Sequence, residues 1–108
     1  MDNVYKLLME IRRRPELYLG KPSLDRLYAF INGYKQCENE EGIQSVCLDG
    51  FQNYIEEKYD MHTDHNWASI IQFFNSSEDE AFYAFYNHLD NYLNTEDGRL
   101  LQNSSNHT

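Results

Sequence analysis

At 108 residues with a formal net charge of −9, the chain is long enough to bury one core, and its charge opposes general attraction to nucleic-acid backbones or anionic membranes. Hydrophobic residues make up 41%, with nine Tyr, six Phe and one Trp, which excludes a disordered acidic chain. No apolar run approaches the ~18 residues of a bilayer span, and Met1-Asp2-Asn3-Val4-Tyr5-Lys6 lacks the regions of a secretory signal, so a cytoplasmic protein without a membrane partner is expected.

Val4, Leu7, Leu8 and Ile11 recur at the spacing of one helical face, and Arg12, Arg13 and Arg14 put positive charge where the carbonyl end of that helix favours it. Pro15 ends this first helix. Residues 16–22 form a structured connector in which Gly20 is free to take a positive φ. Ser23 caps a second helix with Leu24, Leu27, Tyr28, Ile31 and Tyr34 on its apolar face.

The periodicity fails from Lys35 to Asp49, where Glu38, Glu40, Glu41 and Gly42 predict an exposed acidic loop or a frayed helix end. Residues 43–48 are apolar enough to pack, and the pattern leaves open whether they are extended or helical. Asp49 is the expected cap of a third helix carrying Phe51, Tyr54 and Ile55. A polar turn over 60–66 offers Thr63, Asp64 or Asn66 as the cap of a short fourth helix with Trp67, Ile70, Ile71 and Phe74. Ser77 and Glu80 form a capping box before a fifth helix whose buried set is Ala81, Phe82, Phe85, Tyr86, Leu89, Tyr92 and Leu93. The expected architecture is all-α, a single compact domain of four to five helices over 1–94, with a loosely ordered tail over 95–108.

Charge is sorted along this framework. Residues 1–35 hold seven basic side chains against four acids, whereas the remaining 73 hold only Lys58 and Arg99 against fourteen. The acids gather as Glu38/Glu40/Glu41, Asp49, Glu56/Glu57/Asp60, Asp64 and Glu78/Asp79/Glu80, interleaved with Tyr54, Tyr59, Trp67, Tyr83 and Tyr92. Carboxylates steer a basic partner and Tyr or Trp anchors it, so this pattern points to a protein-binding face built on Glu56, Glu57, Tyr59, Asp60, Asp64, Trp67, Glu78 and Asp79.

Catalytic patterns are sparse. His62, Asp64 and His65 are the nearest approach to a metal cluster, but their spacing matches no metal motif and no third or fourth ligand converges in sequence, so neither a metal nor a cofactor is expected. Cys37 and Cys47 are read as reduced thiols. No signature links either of them, or any serine, to a base such as His62, His65 or His88, and the isolated glycines form no phosphate loop. An enzyme is therefore not expected. Arg12–Arg14 with Tyr18 nearby make the best case for nucleic-acid contact, which the downstream acids oppose.

The stretch Ile11-Arg12-Arg13-Arg14-Pro15-Glu16-Leu17-Tyr18-Leu19-Gly20-Lys21-Pro22-Ser23-Leu24, followed by Leu27, Phe30, Ile31, Gly33 and Tyr34, resembles the opening of small bacterial immunity proteins of contact-dependent inhibition and related toxin systems. The resemblance continues through Phe51–Tyr59 and Trp67–Leu93. Glu16-Leu17 stands here where Gly-Met is the more usual pair. What the resemblance implies is a non-enzymatic inhibitor that binds a cognate toxin domain. Many such toxins are nucleases with basic clefts, which an acidic, aromatic-bearing surface would block. The alternatives are a small metal-dependent enzyme using His62, Asp64 and His65, and an RNA-binding adaptor using Arg12–Arg14.

Overall fold

The structure, a computed structural model, describes residues 2–95; apart from Thr95, the expected tail lies outside the described residues. Helix α1 (Asn3–Arg13) starts on the carboxylate of Asp2, which accepts from the Tyr5 amide at 2.7 Å. The other oxygen of that carboxylate accepts from the amides of Val46 (3.0 Å) and Cys47 (2.9 Å), so one side chain caps a helix and closes a distant loop. Val4, Leu8 and Ile11 are buried as the spacing predicts.

Pro15 does more than end α1. Its fixed φ suits a first helical position, and the expected connector contains a second short helix, α2 (Pro15–Leu19). Gly20 ends it with φ 83°, and the Arg26 guanidinium donates to the Leu19 carbonyl at 2.7 Å. A Cβ at Gly20 would stand 2.9 Å from that guanidinium.

Helix α3 (Leu24–Glu40) begins on Ser23, whose hydroxyl accepts from the Arg26 amide, and buries Leu24, Leu27 and Ile31. It runs further than expected. The segment from Lys35 to Glu40 is helical, and Glu38 is buried at 5% exposure. Its carboxylate accepts from Asn3 Nδ2 (3.3 Å) and from the Ser45 hydroxyl (2.9 Å), which in turn accepts from the Val4 amide (3.3 Å). Those bonds offset the desolvation that makes a buried carboxylate rare. Gly42, with φ 74°, then closes the helix, its amide bonding the Asn39 carbonyl and that of Ile43 the Glu38 carbonyl.

Residues 43–46 are irregular and 47–50 form turns leading into α4 (Phe51–Lys58). The expected cap at Asp49 is not made. Gly50, left-handed at φ 83°, occupies the N-cap, and the Asp49 carbonyl accepts from the Tyr92 hydroxyl. Asn66 caps α5 (Trp67–Phe73) by accepting from the Ser69 amide at 2.8 Å. Ser77 caps α6 (Glu78–Leu93), although the Glu80 carboxylate returns to the amide and hydroxyl of Ser76 in place of the Ser77 backbone.

The six helices, with no strand among the described residues, make an all-α fold in which α2 is the helix the periodicity left out. Helix α6 packs against α3, α4 and α5, while α1 and α2 pack on each other and on α3. At the centre the Trp67 and Phe85 rings stack at 4.9 Å, and Phe51 meets both edge-on at 5.2 and 5.6 Å. The Tyr86 hydroxyl donates to the Leu8 carbonyl at 2.6 Å, and Arg12 forks onto Asp90 at 3.0 and 2.9 Å with its guanidinium 5.1 Å from the Tyr86 ring centre. Among the described residues no helix is long and apolar enough to cross a membrane.

Phe85 is fully buried in this stack. Phe85→Ala is expected to lower stability by roughly 3–5 kcal/mol in chemical denaturation. Asp2→Ala removes a cap and two loop bonds at once, with an expected loss of about 2–3 kcal/mol.

Candidate functional site

The α5 surface that faces inward is already filled by Trp67, Ala68, Ile70 and Ile71. Successive helical residues point about 100° apart, which turns Phe73 away from that face; Phe74, three residues after Ile71 and four after Ile70, keeps the inward phase but stands at the C-cap, where α5 ends. Phe73 is 77% exposed and Phe74 48%, a correction to the reading of Phe74 as a core position. The Tyr59 ring, at the C-cap of α4, stacks on Phe74 at 4.6 Å.

Between these elements lies an open-sided cavity of about 500 Å³, lined by Met61, His65, Ser69, Ile70, Gln72 and Phe73. Gln52, on α4, ties the turn over it: its side-chain amide donates to Glu56 at 2.7 Å and to the His65 carbonyl at 3.0 Å. The turn itself starts at Asp60, the sole non-glycine residue with positive φ (53°) among the described residues. There the Met61 amide bonds the Glu56 carbonyl at 2.8 Å, a helix-ending arrangement more often occupied by glycine.

The residues proposed from sequence fall into three environments. Glu57, Asp60 and Asp64 are exposed on α4 and the turn bordering the cavity, with half-buried Glu56 and Tyr59 beside them. Glu78 and Asp79 stand apart at the start of α6, where Glu78 pairs with Lys21 at 2.8 Å. The Ser77 hydroxyl donates to Asp79 at 2.7 Å and holds that carboxyl below its ordinary pKa. Trp67 is a core residue, 9% exposed and packed against Phe51, Phe85 and Tyr28, so it offers little surface to a partner. Phe73 and Met61 were not singled out from sequence.

Other candidate groups are dispersed or engaged. Among the described residues no three His, Cys, Asp or Glu side chains stand close enough to share a metal ion, so His62, Asp64 and His65 do not converge with a further ligand. Arg12 is committed to Asp90, which holds its pKa above the ordinary value, and Arg13 pairs with Glu10 at 3.1 Å. Cys37 is exposed and Cys47 buried, and burial pushes the Cys47 thiol pKa up, which disfavours a reactive thiolate.

Beneath the aromatic pair sits His88 of α6. Its Nε2 lies 2.6 Å from the Tyr59 hydroxyl, while its buried Nδ1 finds no partner. The imidazolium form would present an N–H there without an acceptor. Burial, and next the charge of Lys58, lower the His88 pKa.

No protein-family model, curated protein or solved structure matches the chain. The site therefore has to be interpreted from its own chemistry.

Because the folded state depresses the His88 pKa, the unfolded chain takes up the proton first as pH falls below about 6.5. The contribution of neutral His88 is full above that pH and is lost as pH falls through the folded-state pKa. Urea midpoints measured from pH 7.5 to 5 are expected to fall more steeply for the native chain than for His88→Gln, which does not titrate.

Proposed function

We propose that the chain is a protein-binding inhibitor: its α4–α5 face recognises a basic toxin domain, a nuclease above all, and blocks it as an immunity protein without turnover. The observation that carries this reading is the coincidence of exposed apolar rings with carboxylates. Phe73 and Phe74 are exposed at the end of α5, Tyr59 from the end of α4 stacks on Phe74, exposed Glu57, Asp60 and Asp64 lie on α4 and the turn before α5, and Lys58 is the only Lys or Arg between positions 36 and 95. Exposed aromatics supply contact area that a solvated acidic helix does not, and carboxylates can lie where a nuclease holds phosphates. The resemblance of residues 14–24 to immunity proteins supplies the class of partner.

The alternatives have less support. Arg12 and Arg13 are tied to acids of the chain itself, which leaves Arg14 as the one member of the triplet without such a pair among the described residues. His62, Asp64 and His65 have no further convergent ligand among the described residues.

The test is capture of a toxin domain encoded beside this chain, followed by binding kinetics. Association is expected to slow steeply as salt rises, with dissociation much less affected, because exposed charges are screened beyond about 8 Å at physiological ionic strength. Glu57→Lys with Asp60→Lys should slow association, whereas Phe73→Ala should mainly speed dissociation, by about tenfold or more. Failure to bind that toxin, or tight RNA binding at physiological salt, overturns the reading.

A further inference from the structure

The cavity beside the acidic turn has a definite chemistry. Its apolar surface comes from Met61, Ile70 and the Phe73 ring, and its polar groups are the Ser69 hydroxyl, the Gln72 amide and the His65 ring. Gln72 uses its amide nitrogen to donate to Asp25 Oδ1 at 2.8 Å, which fixes the side chain and leaves Oε1 as an acceptor. Neither that oxygen nor the Ser69 hydroxyl has a hydrogen-bond partner among the described residues. One carboxylate reaches the lining directly, Asp25 through its bond to Gln72, and exposed Asp64 precedes the lining residue His65 in the chain.

An apolar trough with an exposed aromatic edge, fixed neutral acceptors and flanking carboxylates fits a particular kind of group: a cation on a long aliphatic stem. The stem would lie along Ile70 and Met61, and the cation would meet the Phe73 π-face and the two acceptors. A planar guanidinium satisfies a ring face and several acceptors together better than a compact ammonium does. Arginine is also enriched at the centres of protein interfaces.

We propose that this cavity is the anchor pocket for an arginine side chain of a basic protein partner. The inference rests on the binding face assigned above and names the partner group that enters it.

The experiment uses N-acetyl-arginine amide as the probe and N-acetyl-citrulline amide, equal in length but uncharged, as its comparator, with backbone amide shifts of the full chain as readout. The arginine probe is expected to shift Met61, His65 and residues 69–73 with roughly millimolar affinity, as befits one isolated side chain, and citrulline to bind at least tenfold more weakly. Phe73→Ala should weaken the arginine probe about fivefold. Ser69→Lys, at an exposed helical position, should abolish binding by placing an ammonium at the pocket, with the far-UV circular dichroism unchanged. Shifts absent from these residues, equal binding of citrulline, or indifference to Phe73→Ala overturns the proposal. Two results separate it from the immunity reading. If Ser69→Lys binds the toxin domain with native affinity, the arginine pocket falls and the immunity reading stands. If the arginine probe occupies the cavity and no toxin is captured, the pocket stands and immunity falls.

Discussion

The stacked contact of Trp67 with Phe85, closed edge-on by Phe51, fixes three helices at once, because each ring comes from a different one: α5, α6 and α4. Large rings allow few relative placements in a close-packed interior, so these contacts define where α5 can lie on α6. With α5 seated by those rings, Phe73 points away from the core, and Phe74 lies just past the last helical residue and stays exposed. The placement of the exposed face thus follows from how the core seats α5. Tyr59 then covers part of Phe74, and the His88 bond orients Tyr59 from below. A change in the central stack would therefore reach the surface through α5, without any residue of the face being altered.

Helix faces were legible in the sequence because burial repeats every 3.6 residues: most inward positions of α1, α3 and α6 and the caps Ser23 and Ser77 stand where the pattern puts them, Asn66 is one of the three caps it offered for α5, and Leu7, Tyr28, Tyr34 and Leu93 are half-buried. Three features were hidden for separate physical reasons. Helix α2 is five residues long, too short to show a period. Glu38 is buried against the usual habit of carboxylates, and its partners Asn3 and Ser45 lie 35 and 7 residues away in sequence. Asp49 and Gly50 are both acceptable helix starts, and the choice between them depends on Tyr92, a contact no local window contains. Of the candidate face, the acidic border was legible and its aromatic centre was not. Tryptophan suits a core and an interface equally by composition, so only the fold reveals that Trp67 belongs to the first and Phe73 to the surface.

The stretch over residues 14–24 is dense in architectural residues. Pro15 starts α2 and is buried, Gly20 ends it with positive φ, Lys21 reaches Glu78, and Ser23 caps α3. Such a stretch specifies how α1, α2 and α3 join, whichever partner the scaffold meets. Its exposed large hydrophobic residue is Leu17, at 69%. The candidate face lies on α4, α5 and the turn between them, so the scaffold and the recognition surface can vary separately.

Gly50 carries two constraints of different origin. Its φ of 83° is one that side chains rarely adopt, and a Cβ there would stand 2.8 Å from the Tyr92 hydroxyl oxygen. Shortening residue 92 to phenylalanine would relieve the collision while leaving the backbone penalty in place. A single compensating exchange therefore cannot free position 50. In a diverging lineage this site should stay glycine even as residue 92 drifts, which makes the entry to α4 a fixed reference point for aligning sequences whose helices have otherwise changed.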